Sequence, residues 1–420
     1  MPGRPGGGGV VSVDELPIGR RVAQWRIRRR MTQQMLADRL GKSKSWVDKV
    51  ERGVRTLDRL SVLRDLAEAL RVDPAVLLGD STPPATGGGD GIDAVRAALA
   101  RYDFAADERV RPPAPPVAAL GQRVGHAWLT YQHAHYPQLL RMLPGLLGDA
   151  QRAHVAQSDQ SAAQSDQSAA QPEQTAALLV QVYRVTSSVL VKLGEADCAW
   201  LAADRAVAVA AADPLRAAVA AIPLGQALRA LDRGRLAMAA TIAAAHRIAP
   251  PVPQEGPPGQ LSVLGTLLLQ AALAAATCGD ARSVGELLDQ AGEIAEQVGD
   301  GHDHHWTSFG PTTVELARVA AAVDLGDAGE AVTRHEQAVR REQWRRLPAG
   351  HRAAHLVDAA RAYLLVGDLT AAGRALVEAD RTAPAETRSR PVARTTITAV
   401  VRGGPAAAGV ARLATTLGLT

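Results

Sequence analysis

The chain has 420 residues, 47% apolar but only 3% aromatic, so two or more domains of helices packed through Ala, Leu and Val are expected rather than a β-sandwich. Collagen-like and largely disordered classes are excluded, and no stretch of eighteen or more uninterrupted apolar residues appears, which argues against a membrane-spanning helix. The net charge of +4 is unevenly placed: residues 1–80 hold 16 Lys/Arg against 10 Asp/Glu, the mark of a basic, nucleic-acid-reading head on a near-neutral body.

Residues 1–14 are expected as a disordered lead-in, and Met1 to Gly9 is Gly/Pro-rich and lacks an apolar signal core, which argues against secretion. A helical segment follows over residues 15–80. Ile18 to Arg29 is expected as its first helix, with Ile18, Val22, Trp25 and Arg26 on one face. Thr32 caps a second helix, Gln33–Leu40, ended by Gly41 in a left-handed turn. Ser43 caps a third, Lys44 to Arg52, with Val47 and Val50 inward and Gly53 at its end. A fourth runs from Leu57 to Leu70, its stripe being Leu60, Leu63, Leu66 and Leu70. A short fifth, Pro74 to Leu78, opens at Asp73 with Pro at its first position.

Three of the chain's four lysines, Lys42, Lys44 and Lys49, fall at the turn and third helix. A helix after a tight turn can enter the major groove with its N-terminal half facing base edges. Lys44 and Lys49 can donate to guanine, Ser45 to several acceptors, and Asp48 can accept from a cytosine amino group. Gln33, at a helix N-terminus, with Ser43, Arg28, Arg29, Arg30, Arg55 and Arg59, are candidate phosphate contacts.

The run from Thr32 to Gly53 resembles the helix-turn-helix of phage-repressor (XRE/Cro-like) DNA-binding domains. Gln33, Leu36-Ala37, Gly41, Ser43, Val47, Val50 and Glu51-x-Gly53 carry the likeness. The resemblance implies base reading by Lys44, Ser45, Lys49 and Asp48, and a structural pair between Arg26 and Glu51. Trp46 departs from the family's small or polar residue; stacking on the duplex and covering the helix pair both remain open.

Residues 81–116 are expected to form a Pro/Gly-rich linker with a short helix near Ile92–Ala100. Residues 117–420 alternate helix and break. Within them, 157–171 holds a repeated Gln-Ser-Asp-Gln-Ser-Ala-Ala, expected as a solvated loop without function. Breaks at Gly194, Gly234, Gly279, Gly326 and Gly367 are spaced 40, 45, 47 and 41 residues apart, a helix-pair period. Ala199 and Ala206, Ala239, Ala331 and Ala338 mark matching positions. The last unit, His355–Val366 and Leu369–Asp380 closed by Pro384, resembles a tetratricopeptide repeat, and an irregular bundle is the competing architecture. The fold class is therefore expected to be all-α: a five-helix DNA-binding domain followed by a tetratricopeptide-like α-solenoid.

The whole arrangement resembles actinobacterial regulators with an XRE-type head and a degenerate tetratricopeptide body. Leu190 to Arg205 and His305-Trp-Thr-Ser-Phe-Gly-Pro311 look like segments typical of that group. The expected function is a cytoplasmic, homodimeric transcription regulator. Its concave face is expected to take a peptide or small-molecule effector through Tyr183, Gln226, Gln270, His305, Trp306 and Phe309. The alternative is a DNA-tethered protein-interaction scaffold without an effector.

His302-Asp-His-His305 is the only cluster of metal-ligand types, and functional metal sites need ligands fixed on different elements. No phosphate loop, nucleophile elbow or paired-carboxylate motif appears, so neither catalysis, metal, cofactor nor membrane partner is expected. Cys198 and Cys278 are read as buried small hydrophobes in a reducing compartment.

Overall fold

The computed structural model describes residues 17–29, 31–55, 60–70, 72, 77, 88–101, 113–163, 170–210, 213–252, 256–404 and 408–419. Among these the regular structure is helical throughout, with no strand. The chain divides into two compact units, Met1–Gly88 and Gly89–Thr420.

The head contains α1 (Ile18–Arg28), α2 (Gln33–Leu40), α3 (Lys44–Glu51) and α4 (Leu60–Leu70). Val22, Leu36, Val47, Val50, Leu63, Leu66 and Leu70 meet in its core. Of the expected fifth helix only Leu77 is described, and it is buried. Residues 56–59, which include Arg59 and the first turn expected of α4, lie outside the described residues, as does Arg30.

The body begins with α5 (Gly88–Leu99). The sequence places this helix within a linker, but Val95, Ala98 and Leu99 lie in the body core and Arg96 Nη2 reaches Glu195 at 2.9 Å. Six helix pairs follow: α6 and α7 (Val117–Gln132, Tyr136–Ala163), α8 and α9 (Ala170–Leu193, Ala196–Ala210), α10 and α11 (Pro214–Ala230, Gly234–Ile248), α12 and α13 (Pro258–Thr277, Ala281–Val298), α14 and α15 (Pro311–Leu325, Ala328–Ala338), and α16 and α17 (Ala349–Leu365, Leu369–Thr382). Short α18 (Pro384–Arg388), α19 (Pro391–Arg402) and α20 (Ala408–Thr416) close the chain. Each first helix packs on its own partner and on the first helix of the next pair, so the apolar faces form one long helical-repeat core, with two smaller clusters beside it, one around Val319, Ala331 and Ala362 and one around Leu376, Ile397 and Val410.

Four of the five breaks place glycine in the left-handed region: Gly194, Gly279, Gly326 and Gly367, with φ of 83°, 73°, 83° and 82°. The break assigned to Gly234 is different. There Asp232 takes the left-handed turn, with φ of 58°, a conformation short polar side chains tolerate. Gly234 instead opens α11 with no room for a side chain, since a Cβ would lie 2.7 Å from Cys278 Sγ. The repeat register is thus two residues earlier than the glycine spacing implied. Its small-residue position is Ala237, fully buried, and not Ala239, which is exposed.

Two further expectations change. Residues 157–163 continue α7 and residues 170–171 open α8, so this part of the low-complexity segment is helix rather than loop; 164–169 lie outside the described residues. Cys278 is exposed in the turn after α12 and Cys198 is half-buried beside Arg96, so neither is a core residue. Two helices, Glu173–Leu193 and Pro258–Thr277, are long and apolar enough to cross a membrane, and most of each is buried inside the body.

Candidate nucleic-acid interface

The third helix is aimed by local chemistry first. Thr32 Oγ1 accepts from the Met35 amide at 3.1 Å, capping α2. Gly41, with φ of 61°, turns the chain, and the Lys42 amide closes that turn on the Ala37 carbonyl at 2.9 Å. Ser43 Oγ then caps α3, accepting from the Trp46 amide at 3.2 Å. Each cap satisfies amides the helix cannot satisfy itself.

Packing then fixes the angle. Gly19 of α1 lies so close to α3 that a Cβ would sit 2.1 Å from the Val50 carbonyl oxygen. Beside this crossing, Arg26 Nε and Nη2 donate to the two Glu51 carboxylate oxygens at 2.6 and 3.0 Å. Arg26 Nη1 donates to the Met31 carbonyl at 2.8 Å, and Gln33 Nε2 donates to Glu51 Oε2 at 2.9 Å. One carboxylate therefore ties α1, α2 and α3 together. A bidentate guanidinium fork holds orientation as well as distance, which a single ammonium would not.

The outward side of α3 presents Lys44, Ser45 and Lys49, all exposed. Among the described residues no carboxylate pairs with either lysine. Asp48, half-buried, accepts from Arg52 Nη2 at 2.6 Å one turn along. Such an exposed i,i+4 pair is worth about 0.3–0.5 kcal/mol, so it holds Asp48 only weakly against a base amino group. Ser43, exposed at the start of α3, uses its hydroxyl oxygen for the cap, which leaves the hydroxyl hydrogen free of that bond. Gln33 commits one of its two side-chain amide hydrogens to Glu51 and retains the other.

Three arginines of the head lie over tryptophan rings. Arg28 and Arg29 lie 4.9 and 6.0 Å from the Trp25 ring centroid, and Arg55 lies 5.9 Å from that of Trp46. Trp46 is half-buried with a cation over its ring. Sequence reasoning did not find Arg21, which is buried and donates to the Leu77 carbonyl at 3.1 Å, pinning α1 to the end of the head. Its signal was available: it follows Ile18 at three residues and so shares the inward face.

The helix-turn-helix domain family matches residues 17–78. The head is a DNA-binding helix-turn-helix domain. No curated protein matches the sequence. Among solved structures, the chain is similar to Bacillus thuringiensis PlcR, crystallised in complex with the peptide PapR7 and DNA. That match has 10% identity, covers 66% of this chain and 94% of that chain, and has a TM-score of 0.25.

In the body, the residues expected on a concave face separate into two groups. Tyr183 and Phe309 are core residues, 4% and 2% exposed. Tyr183 accepts a hydrogen bond from Gln151 Nε2 at 2.9 Å. Phe309 fills a notch at Gly265, where a Cβ would lie 2.0 Å from its ring. Gln226, Gln270, His305 and Trp306 are half-buried, and Trp306 stacks on Trp128 with centroids 6.0 Å apart. Burial and the neighbouring Arg184 cation hold His305 below the ordinary imidazole range. Its neighbours do not assemble a metal site: among the described residues no group of three or more His, Cys, Asp or Glu gathers to hold an ion.

Proposed function

We propose that the chain is a cytoplasmic, sequence-specific transcription regulator of the XRE type found in actinobacteria. One observation carries the reading: an exposed Lys44-Ser45…Lys49 edge on a capped helix whose direction is set by the Arg26–Glu51–Gln33 network. Lys44, Ser45 and Lys49 read base edges, with Asp48 released from Arg52 to join them. Ser43, Gln33, Arg28, Arg29 and Arg55 position the duplex through phosphates.

A head of this size reads one half-site, so tight specific binding calls for two heads about one helical turn apart or a multiple of it. The helical-repeat body supplies the homodimer contact and responds to a peptide or small-molecule effector, and catalysis has no part in this reading. Competition titrations across operator variants test the head. Lys44→Ala and Lys49→Ala each remove about 1–3 kcal/mol of discrimination at one or two base pairs. Unchanged affinity and sequence preference in both variants would overturn the assignment of α3. Light scattering of the full chain tests the dimer, and a strict monomer at micromolar concentration refutes it.

A further inference from the structure

The segment joining α13 to α14, residues 299–310, is a strap built against its own backbone preferences. Gly299, Gly301, His305, Trp306 and Ser308 all adopt left-handed φ, of 72°, 92°, 53°, 62° and 49°. Three of these carry side chains that disfavour the conformation, so tertiary contacts hold it. Asp303 is the pin: its carboxylate accepts from Gln132 Nε2 at 2.7 Å, from the Ser308 amide at 2.8 Å and from Ser308 Oγ at 3.2 Å.

Beneath the strap lies a cation without an ion-pair partner. Arg184 of α8 is 2% exposed, and its guanidinium lies 4.9 Å from the Trp128 ring centroid, the ring on which Trp306 stacks. Among the described residues no carboxylate oxygen bonds it. Its Nη1 donates to the Gln181 side chain at 2.7 Å and to the strap's His305 carbonyl at 3.1 Å. Among the described residues its Nε, the Trp128 indole Nε1 and the Ser187 hydroxyl, all buried, have no hydrogen-bond partner. Burial pulls the Arg184 guanidinium down to about 9, with Asp303 as the compensating charge. Buried donors and an unpaired cation are costly unless something satisfies them.

We infer that the surface under the strap is an anion site for a carboxylate or phosphate group, and that the strap is its built-in occupant. The His305 carbonyl stands where an oxyanion oxygen would accept from Arg184. Lifting the strap also withdraws Asp303, the charge that compensates Arg184, so opening creates the demand for an anion. A charged acceptor makes stronger hydrogen bonds to guanidinium than a neutral carbonyl does, and it gains from the unfilled Arg184 Nε–H. The strain in the strap lowers the cost of its release. This accounts for the His305–Pro311 sequence as a self-ligand, with Phe309 locked in the Gly265 notch as its anchor.

The site rests on the effector reading only for its purpose, and its test needs no DNA. Hydrogen exchange of residues 299–310 is followed in the full chain with potassium phosphate, potassium acetate, or potassium chloride at equal ionic strength. Phosphate or acetate, but not chloride, is expected to raise strap exchange by roughly fivefold or more, and the active anion distinguishes a phosphorylated ligand from a carboxylate one. Arg184→Gln abolishes the response. Trp306→Ala, which weakens the competing strap, tightens binding of the active anion and decides the matter where Arg184→Gln does not fold. No response to either anion, an equal response in Arg184→Gln, or unchanged binding in Trp306→Ala overturns the inference. Strap opening with constant operator affinity would keep the site and remove the effector reading; operator affinity that responds while the strap stays closed would do the reverse.

Discussion

Glu51 is where removing one side chain tests the geometry of the whole head. Its carboxylate is buried and accepts three hydrogen bonds, two from Arg26 and one from Gln33. Glu51→Ala leaves the Arg26 guanidinium with the Met31 carbonyl as its remaining acceptor here. Breaking a buried ion pair from one side costs about 3–5 kcal/mol. The Arg26 side chain is 13% exposed, so water reaches it in part and the lower end, about 3 kcal/mol, is expected. For a domain of this size that corresponds to a fall of roughly 12–24 °C in melting temperature. Hydrogen exchange of the α1 and α3 amides in the full chain isolates the head's stability from that of the body. Arg26→Met combined with Glu51→Leu should recover most of the loss, because an apolar pair carries no stranded charge. A change below about 0.5 kcal/mol in Glu51→Ala would refute the reasoning: the network would then be geometry without energetic weight.

Arg29→Ala should weaken binding to all DNA sequences alike and reduce the salt slope by about one unit, so a sequence-selective loss in equilibrium titrations would count against a phosphate role. Gly265→Val should destabilise the body by about 1–3 kcal/mol, since Phe309 already occupies that space; calorimetry showing no loss would mean that the strap anchor is loose. Acid should destabilise the body. Burial lowers His351 to about 4, His355 to about 3, and His335 in the same direction, and the His335 and His355 ring nitrogens share one hydrogen bond at 2.9 Å. Folded values below the unfolded one mean the contribution is present above about pH 6.5 and is lost as the pH falls below it, by about 2 kcal/mol for each fully depressed histidine between pH 7 and pH 5. Denaturant titrations with equal midpoints at those two pH values would contradict this.

What the amino-acid order determines by itself here is what acts within a turn or two of chain. Thr32, Gly41 and Ser43 mark the ends of α2 and α3 because a cap or a left-handed residue works on amides three or four positions away. Apolar spacing likewise gives Val47, Val50, Leu63 and Leu66 their inward side, and the glycine breaks announce a repeating body. Tertiary structure decides what depends on distant segments meeting. The Gly19–Val50 approach, Gln33 turning to Glu51, and Phe309 entering the Gly265 notch have no local signature, because each is a distance between elements and not a preference of one. The break at Asp232 shows the boundary between the two: Gly234 looks like a turn glycine, yet packing against Cys278 claims it and the turn moves two residues back. Glu386 shows it again. It reads as an ordinary polar residue in a short helix, but the fold buries it with Lys192 Nζ at 2.8 Å and Arg390 Nη1 at 3.2 Å, and Tyr136, far away in sequence, donates to it. A carboxylate is tolerated inside only where partners from several helices converge on it, and that convergence exists only once the chain has folded.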